Sequence, residues 1–339
     1  MKEIGIMYVL GIESSCDETS AAVVECDGKL RRVKSNIVAS QIDIHRLYGG
    51  VVPEIAGRAH IEAVSGICYE ALERAGVGIT DIGAVAVTAS PGLIGALLVG
   101  VNFAKSLAFS YGIPLVAVDH VKGHTSAAYL EYPSLEAPFL SVVVSGGHTS
   151  IYEVRDPVSF VEIGATRDDA AGEAFDKIAR VIGIPYPGGA GLDRLAREGD
   201  ARAIKLPSPA IPGDNLDFSF SGLKTAALNY INIKRQKEEP IPREDLAASY
   251  TDTIVRAIVK KTEAAIKSTG MKTLVLAGGV AANSHLRAAL GEMCKRRGVE
   301  FCVPSLSLCS DNAAMIAMQG YWEFESGSRA DTSLNASAT

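Results

Sequence analysis

The sequence predicts an α/β protein made of two related halves facing each other across a cleft. Three observations carry that reading. β-rich runs come in two sets of three, each followed by alternating helical and β segments. The turn after the first run of each set follows one plan: an apolar strand enters a small or polar turn, and Thr-Ser opens the return strand, at Thr19-Ser20 and again at Thr149-Ser150. Glycine, 33 residues in all, pairs at Gly49-Gly50, Gly146-Gly147, Gly188-Gly189 and Gly278-Gly279. Such pairs let backbone turn sharply or lie close to a ligand, which favours a nucleotide site.

The first set covers residues 8–12, 20–26 and 30–39, with the polar turn 13–19 joining the first two runs, and reads as an antiparallel meander. Helical periodicity follows over 53–75, then a strand at 84–88, a helix at 94–110 and a strand at 115–118. The stretch 93–111 is the most apolar in the chain, but Asn102, Lys105 and several glycines interrupt it, so a buried amphipathic helix is expected rather than a membrane span. Two prolines break helix periodicity around residues 132–138, and the boundary between halves is placed there. The second set covers 139–145, 150–153 and 158–164. Helices follow, 273–276 and 299–303 supply further strands, and a helix over 313–325 closes the chain. The expected division is therefore 1–134, on which a last helix at 311–327 could pack back, and 135–327 with helical insertions. Residues 328–339 are small and polar and are expected to fray. Segments 207–218 and 234–242, broken by proline and rich in polar residues, read as surface loops.

Composition narrows the function. With 47% hydrophobic and 21% charged residues the chain reads as soluble and globular. A net charge of −6 opposes a polyanion in bulk, so any nucleic acid must be met by local basic patches. Arg31-Arg32-Val33-Lys34, Lys234-Arg235-Gln236-Lys237 and Lys295-Arg296-Arg297 are candidates, each more simply a solvated face. The six cysteines are scattered without a Cys-x-x-Cys, which argues against a disulfide framework or zinc knuckle and for a reducing cytosol. Lys2 and Glu3 precede only a short apolar stretch, so neither a signal peptide nor a membrane association is expected, and the location expected is cytoplasmic.

His120 and His124 carry the sharpest chemical signal. Four residues apart on a helix, they share one face, where a divalent metal could bridge them, and they sit where a strand ends and a helix begins. Spacing alone favours a helix packing two half-buried histidines, so the pair needs support from elsewhere. Asp311, just before the last helix, could bring a carboxylate to the pair across the cleft, or it or Ser310 could simply cap that helix.

The turn from Glu13 to Thr19 offers hydroxyls, backbone N–H groups and the carboxylates of Asp17 and Glu18. Val143, Val144, Ser145, Gly146, Gly147 and His148 repeat the plan, with glycine N–H groups able to close around an anion; a Gly-rich hairpin reads the same way. Gly278-Gly279 followed by Asn283 looks like a nucleotide edge or tight strand–helix packing. Asp168 and Asp169 are expected to open a helix that carries Asp176 well inside it. Gly188, Gly189 and Asp193 belong to another helix N-terminus able to hold a ribose or phosphate.

Taken together, these segments resemble the TsaD family over about residues 8–325: Gly11 to Thr19, Gly49-Gly50-Val51-Val52-Pro53-Glu54, the histidine pair, Val144 to Thr149, Asp169 to Lys177, Asp217 to Thr225 and Gly278-Gly279-Val280. The resemblance implies the actin, sugar-kinase and Hsp70-like (ASKHA) fold, with two RNase-H-like halves around a nucleotide cleft. It implies an acyltransferase that moves a threonylcarbamoyl group from threonylcarbamoyl-AMP to N6 of the adenosine 3′ of the anticodon, position 37, in tRNAs reading ANN codons. It implies that His120, His124 and Asp311 ligate one divalent metal, iron or zinc, and that Val143 to Gly147, Asp176, Gly189, Asp193 and Asn283 hold the adenylate, with ATP or ADP an alternative occupant of the cleft. Asp17, Glu18 and His148 match polar residues near the reacting centre. His148, and the lack of a tyrosine near Val143, match the bacterial branch. Implied partners are tRNA, TsaB through the N-terminal half, the ATPase TsaE and an upstream synthase of threonylcarbamoyl-AMP.

Rival readings are an ATPase or phosphotransferase of the same superfold, which would use carboxylate-held magnesium, a metallopeptidase, and a non-catalytic scaffold. The histidine pair counts against the first, and the lack of His-Glu-x-x-His against the second. Retention of His120, His124 and Asp311 counts against the third.

Overall fold

The computed structural model describes residues 6–27, 29–209, 211 and 213–339. Lys2 and Glu3, and Ala210 and Pro212 of the 207–218 segment, lie outside the described residues. The chain divides into two units, one of residues 1–137, 155–160 and 304–339 and the other of residues 138–154 and 161–303.

In the first unit, β1 (Met7–Glu13), β2 (Glu18–Cys26) and β3 (Arg31–Ser40) form the antiparallel meander, followed by α1 (Ile42–Arg46) and α2 (Pro53–Ala75). Then come β4 (Ile82–Ser90), α3 (Ile94–Tyr111), β5 (Leu115–Asp119) and α4 (His120–Glu131). The sheet runs β3-β2-β1-β4-β5, with β4 parallel to β1 and to β5. Val9, Leu10, Ile12, Val85 and Val87 are all fully buried, as expected of strands covered on both faces. α2 and α3 cover one face, burying Val64, Ile67, Val101 and Ala104. α3 has the length and mean hydropathy, 1.3, to cross a membrane, but Ala96, Leu97, Gly100, Val101, Ala104 and Ala108 are buried in this core.

The second unit repeats the design. β6 (Phe139–Val144), β7 (Thr149–Asp156) and β8 (Ser159–Ala165) precede α5 (Ala171–Val181), α6 (Gly188–Ala196), α7 (Ser221–Gln236) and α8 (Arg243–Thr269). β9 (Thr273–Ala277), α9 (Ser284–Arg297) and β10 (Glu300–Cys302) complete it, and the sheet runs β10-β9-β6-β7-β8. β6 pairs antiparallel with β7 and parallel with β9, as β1 does with β2 and β4. The layout repeat seen at Thr19-Ser20 and Thr149-Ser150 is therefore a repeat of topology.

After α10 (Leu306–Cys309) comes α11 (Ala313–Glu325), which belongs to the first unit and packs on β1, β4 and α4. A side chain at Gly11 would run into the main-chain oxygen of Ala313, so glycine there lets α11 lie directly on β1.

Three local expectations are corrected. Residues 328–339 do not fray: Ala330 N–H donates to Leu115 O at 2.8 Å, Ser337 N–H donates to Ala89 O at 2.9 Å, and Leu334 and Ala336 pack on the core. β5 is the edge of its sheet, and this segment satisfies edge groups that would otherwise need water. The helix expected from Asp168 starts at Ala171, because Asp168 instead accepts hydrogen bonds from Phe220 N–H at 2.8 Å and the Ser221 hydroxyl at 2.6 Å, ahead of α7. Lys234 to Gln236 are the last turn of α7 rather than loop.

Candidate functional site

In the first unit, β5 delivers its last residue, Asp119, as the N-cap of α4, accepting from Val121 N–H at 2.8 Å and Lys122 N–H at 3.0 Å. That cap puts His120 at the first helical position and His124 one turn on. The cap of α11 is Asn312, whose side chain accepts from Met315 N–H, so neither Ser310 nor Asp311 is consumed by capping. Asp311 lies in the same unit as the histidines rather than across a cleft, brought there by the return of the chain at residue 304.

Asp311 Oδ1 is 3.5 Å from His120 Nε2 and 3.3 Å from His124 Nε2, and one ligand atom from each of the three residues lies within 4.8 Å of the other two. Both rings are buried, and neither nitrogen of His124 has a hydrogen-bond partner, a costly arrangement unless something electrophilic is held there. Two imidazole nitrogens and a carboxylate oxygen converging in this way fit a divalent cation.

Glu13, fully buried at the end of β1, completes the arrangement. Its Oε2 accepts from His120 Nδ1 at 3.0 Å and from the Thr88 hydroxyl at 2.6 Å. Burial opposes ionisation of Glu13 and Asp311, but the neighbouring His120 outweighs it and holds both carboxyls below the usual range. Burial likewise opposes charge on His120, yet Asp311 and Glu13 raise its proton affinity well above the ordinary value. The field here is anionic and attracts cations.

Asp17 and Glu18 lie on the turn after β1. Asp17 is buried, and the half-buried Glu18 has its pKa pushed up to about 10 by desolvation and by the charges of Asp311 and Asp17. The turn is braced from behind by the fully buried His60, while the equally buried His45 holds Gln41, whose N–H donates to Asp17 O at 2.9 Å. His60 Nε2 lies 3.0 Å from Cys16 O, which can only accept, so Nε2 carries the proton and Nδ1 accepts from the Thr19 hydroxyl at 2.7 Å. His45 Nδ1 accepts from Val52 N–H at 3.2 Å, leaving Nε2 to donate to Gln41 Oε1 at 3.1 Å.

The second unit brings its expected residues together along a chain of contacts. Val143 and Val144 end β6, and Ser145 N–H donates to His148 O at 2.8 Å, closing the turn over exposed Gly146 and Gly147. Gly172 N–H, at the start of α5, donates to Ser145 O at 3.2 Å. Gly278, at φ 91°, lies against Val144 O, where a side chain would collide. From α5, Asp176 Oδ1 accepts from Gly188 N–H at 2.8 Å and Gly189 N–H at 3.1 Å, so it is already bound to the start of α6. From α6, Asp193 accepts from Ser284 N–H and Oγ at 3.0 Å, His285 Nδ1 at 3.0 Å and Arg197 at 2.9 Å. Asn283 caps α9 by accepting from Leu286 N–H at 2.9 Å.

Sequence reasoning did not single out Glu13, Thr88, His60, His45, Ser284 or His285 for these roles. Glu13 was legible as an acid closing an apolar run beside Ser14-Ser15. The others are joined only by tertiary contacts.

A family model described as TsaD, tRNA N6-adenosine threonylcarbamoyltransferase, matches residues 32–318. A protein of that name from Clostridium botulinum (strain 657 / Type Ba4) is 52% identical over 97% of this chain and 96% of its own. Another from Clostridioides difficile (strain 630) is 50% identical over 97% of both. Among solved structures, component A of (R)-2-hydroxyglutaryl-CoA dehydratase from Acidaminococcus fermentans matches 94% of this chain and 98% of its own, at TM-score 0.54 and 17% identity. HypF from T. kodakarensis matches 95% of this chain and 49% of its own, at TM-score 0.64 and 14% identity. These structural likenesses speak for the fold, which is of the ASKHA type.

Proposed function

We infer the mechanism from one premise: the chain belongs to the TsaD family and is a tRNA N6-adenosine threonylcarbamoyltransferase. We propose that the donor is threonylcarbamoyl-AMP and the acceptor the adenosine at position 37 of tRNAs reading ANN codons. N6 attacks the carbamoyl carbon, a C–N bond forms, the bond to the phosphate oxygen breaks, AMP leaves with the electron pair, and N6 gives up one proton. An aromatic amine is a weak nucleophile, which is why a mixed anhydride suits the donor.

The family is metal-dependent, and His120, His124 and Asp311 would hold the ion, iron or zinc, both of which accept this donor set. When bound, such an ion supplies Lewis-acid neutralisation of charge on the donor's phosphate. The observation that carries this reading is the convergence of the buried His120 and His124 Nε2 atoms on Asp311 Oδ1. Glu13 holds the Nδ1 proton of His120 and so aims Nε2 at the ligand position. Asp17, Glu18 and His148 are assigned to proton handling. Val143 to Gly147, Asp176, Gly189, Asp193 and Asn283 are assigned to the adenylate or a bound ATP or ADP, with Gly146 and Gly147 N–H groups facing phosphate or carbonyl oxygen.

We extend the reading to assembly in the cytoplasm with TsaB and TsaE, supplied by a threonylcarbamoyl-AMP synthase. Supporting a TsaB contact on the first unit, Tyr69, Phe109 and Tyr111 on α2 and α3 are 70%, 78% and 53% exposed. Tyr69 and Tyr111 flank a groove of about 500 Å³.

The test is mass-spectrometric nucleoside analysis of unmodified ANN-decoding tRNA after incubation with the protein, TsaB, TsaE and threonylcarbamoyl-AMP. The expected result is threonylcarbamoyl-adenosine that disappears with His120→Ala/His124→Ala; unchanged yield in that variant would sink the metal assignment.

A further inference from the structure

We propose that a basic groove in the second unit, between the segment after residue 200 and helix α8, binds the phosphate backbone of RNA; this rests on the reading of tRNA as substrate. The groove encloses about 710 Å³ and is lined by Arg202, Lys205, Arg256, Lys260 and Lys261, with Asp214 the only acidic residue among the described residues lining it. A chain of net charge −6 repels a polyanion in bulk, so a local inversion of this size is the kind of feature an RNA partner requires.

The arrangement suits a backbone rather than a single ion. Arg256 and Lys260 lie one turn apart on α8, about 6 Å along its axis, and both are exposed. Arg202 and Lys205 are exposed on the opposite wall. Lys261 donates to Asn215 O at 2.5 Å and Oδ1 at 3.2 Å, which ties Asn215, on the rim of the groove, to α8. Arg256 pairs with Asp252 at 2.6 Å on the surface, an interaction weak enough to exchange for a phosphate. None of the three charge runs apparent in the sequence contributes, because these cations are assembled from separate segments. Contacts of this kind position an RNA without reading its sequence.

The experiment measures binding of fluorescently labelled unmodified tRNA to the full-length protein by anisotropy, over about 50 to 200 mM salt. Arg256→Gln/Lys260→Gln is expected to weaken binding roughly tenfold at the lower salt and to make the slope of log K against log salt shallower by about 2. The loss should be equal for a tRNA with an unrelated anticodon. Arg202→Gln/Lys205→Gln, on the other wall, gives the same result independently should the first variant fold poorly. Wild-type affinity and slope in folded variants would overturn the proposal, and if those variants instead lose an acidic protein, the groove is a protein site. Wild-type protein that binds through the groove but makes no threonylcarbamoyl-adenosine would remove the transfer reading and leave the groove. Active protein with unaltered variants does the reverse.

Discussion

Glu13 Oε2 accepts the Nδ1 proton of His120 at 3.0 Å, and that contact decides which ring nitrogen His120 can offer to a ligand. Nε2 is left 3.5 Å from Asp311 Oδ1. Carboxylates that orient a metal-binding imidazole in this way raise its basicity and fix its tautomer. Glu13→Gln keeps the shape but removes the charge, and is expected to weaken metal affinity about 10- to 100-fold. Competition with a chromophoric chelator measures this directly.

His60 braces the turn that carries Asp17 and Glu18. His60→Ala strands the Cys16 carbonyl and the Thr19 hydroxyl in a buried site, each costing about 1–3 kcal/mol. Chemical denaturation should show a loss of about 2–6 kcal/mol for the two together, with transfer falling in turnover more than in KM for the donor. Burial holds the His60 pKa below the ordinary value, so the unfolded chain takes up the proton first. The stability His60 gives is therefore present at neutral pH and is lost as pH falls below about 6.5.

The fold was largely legible because the central strands β1, β4, β6 and β9 are buried along most of their length and so read as apolar runs, and because the turn chemistry repeats at Thr19-Ser20 and Thr149-Ser150. The histidine pair was legible because it is local. Its carboxylate at residue 311 is distant in sequence, so position alone left it either a ligand or a helix cap, and the family resemblance favoured the ligand. Asp168 shows the limit of helix-start rules: an acid ahead of a helical run served a different helix, α7, some fifty residues later. Residues 328–339 looked like a loose end because their small polar composition carries no sign of the strand edge they cover.

Asp193 gives a pH test in the second unit. Burial alone would raise its pKa, but His285, Ser284 and Arg197 prevail and hold it below the usual carboxylate value. A depressed carboxyl contributes stability that is present above the unfolded value of about 3.9 and is lost as pH falls through the folded value. Asp193→Asn should therefore destabilise at pH 7 by about 1–3 kcal/mol, with the gap to wild type closing below about pH 4 in parallel denaturation series.

Removal of residues 328–339 should expose the β5 edge and the core beneath Leu334. Leu334 is half-buried, so loss of its packing is worth on the order of 1 kcal/mol, and the thermal midpoint should fall by about 2–4 °C. Faster amide exchange at Ala117 and its neighbours on β5 would accompany it.

The central claim is that a metal held by His120, His124 and Asp311 serves the transfer. It is tested most directly by stripping the protein with a chelator, restoring iron or zinc in turn, and following threonylcarbamoyl-adenosine in tRNA alongside elemental analysis. The account predicts near one metal per chain, activity lost on stripping and regained on restoration, and neither in His120→Ala/His124→Ala. Full transfer by stripped protein, or metal retained at the same stoichiometry by that variant, would contradict it.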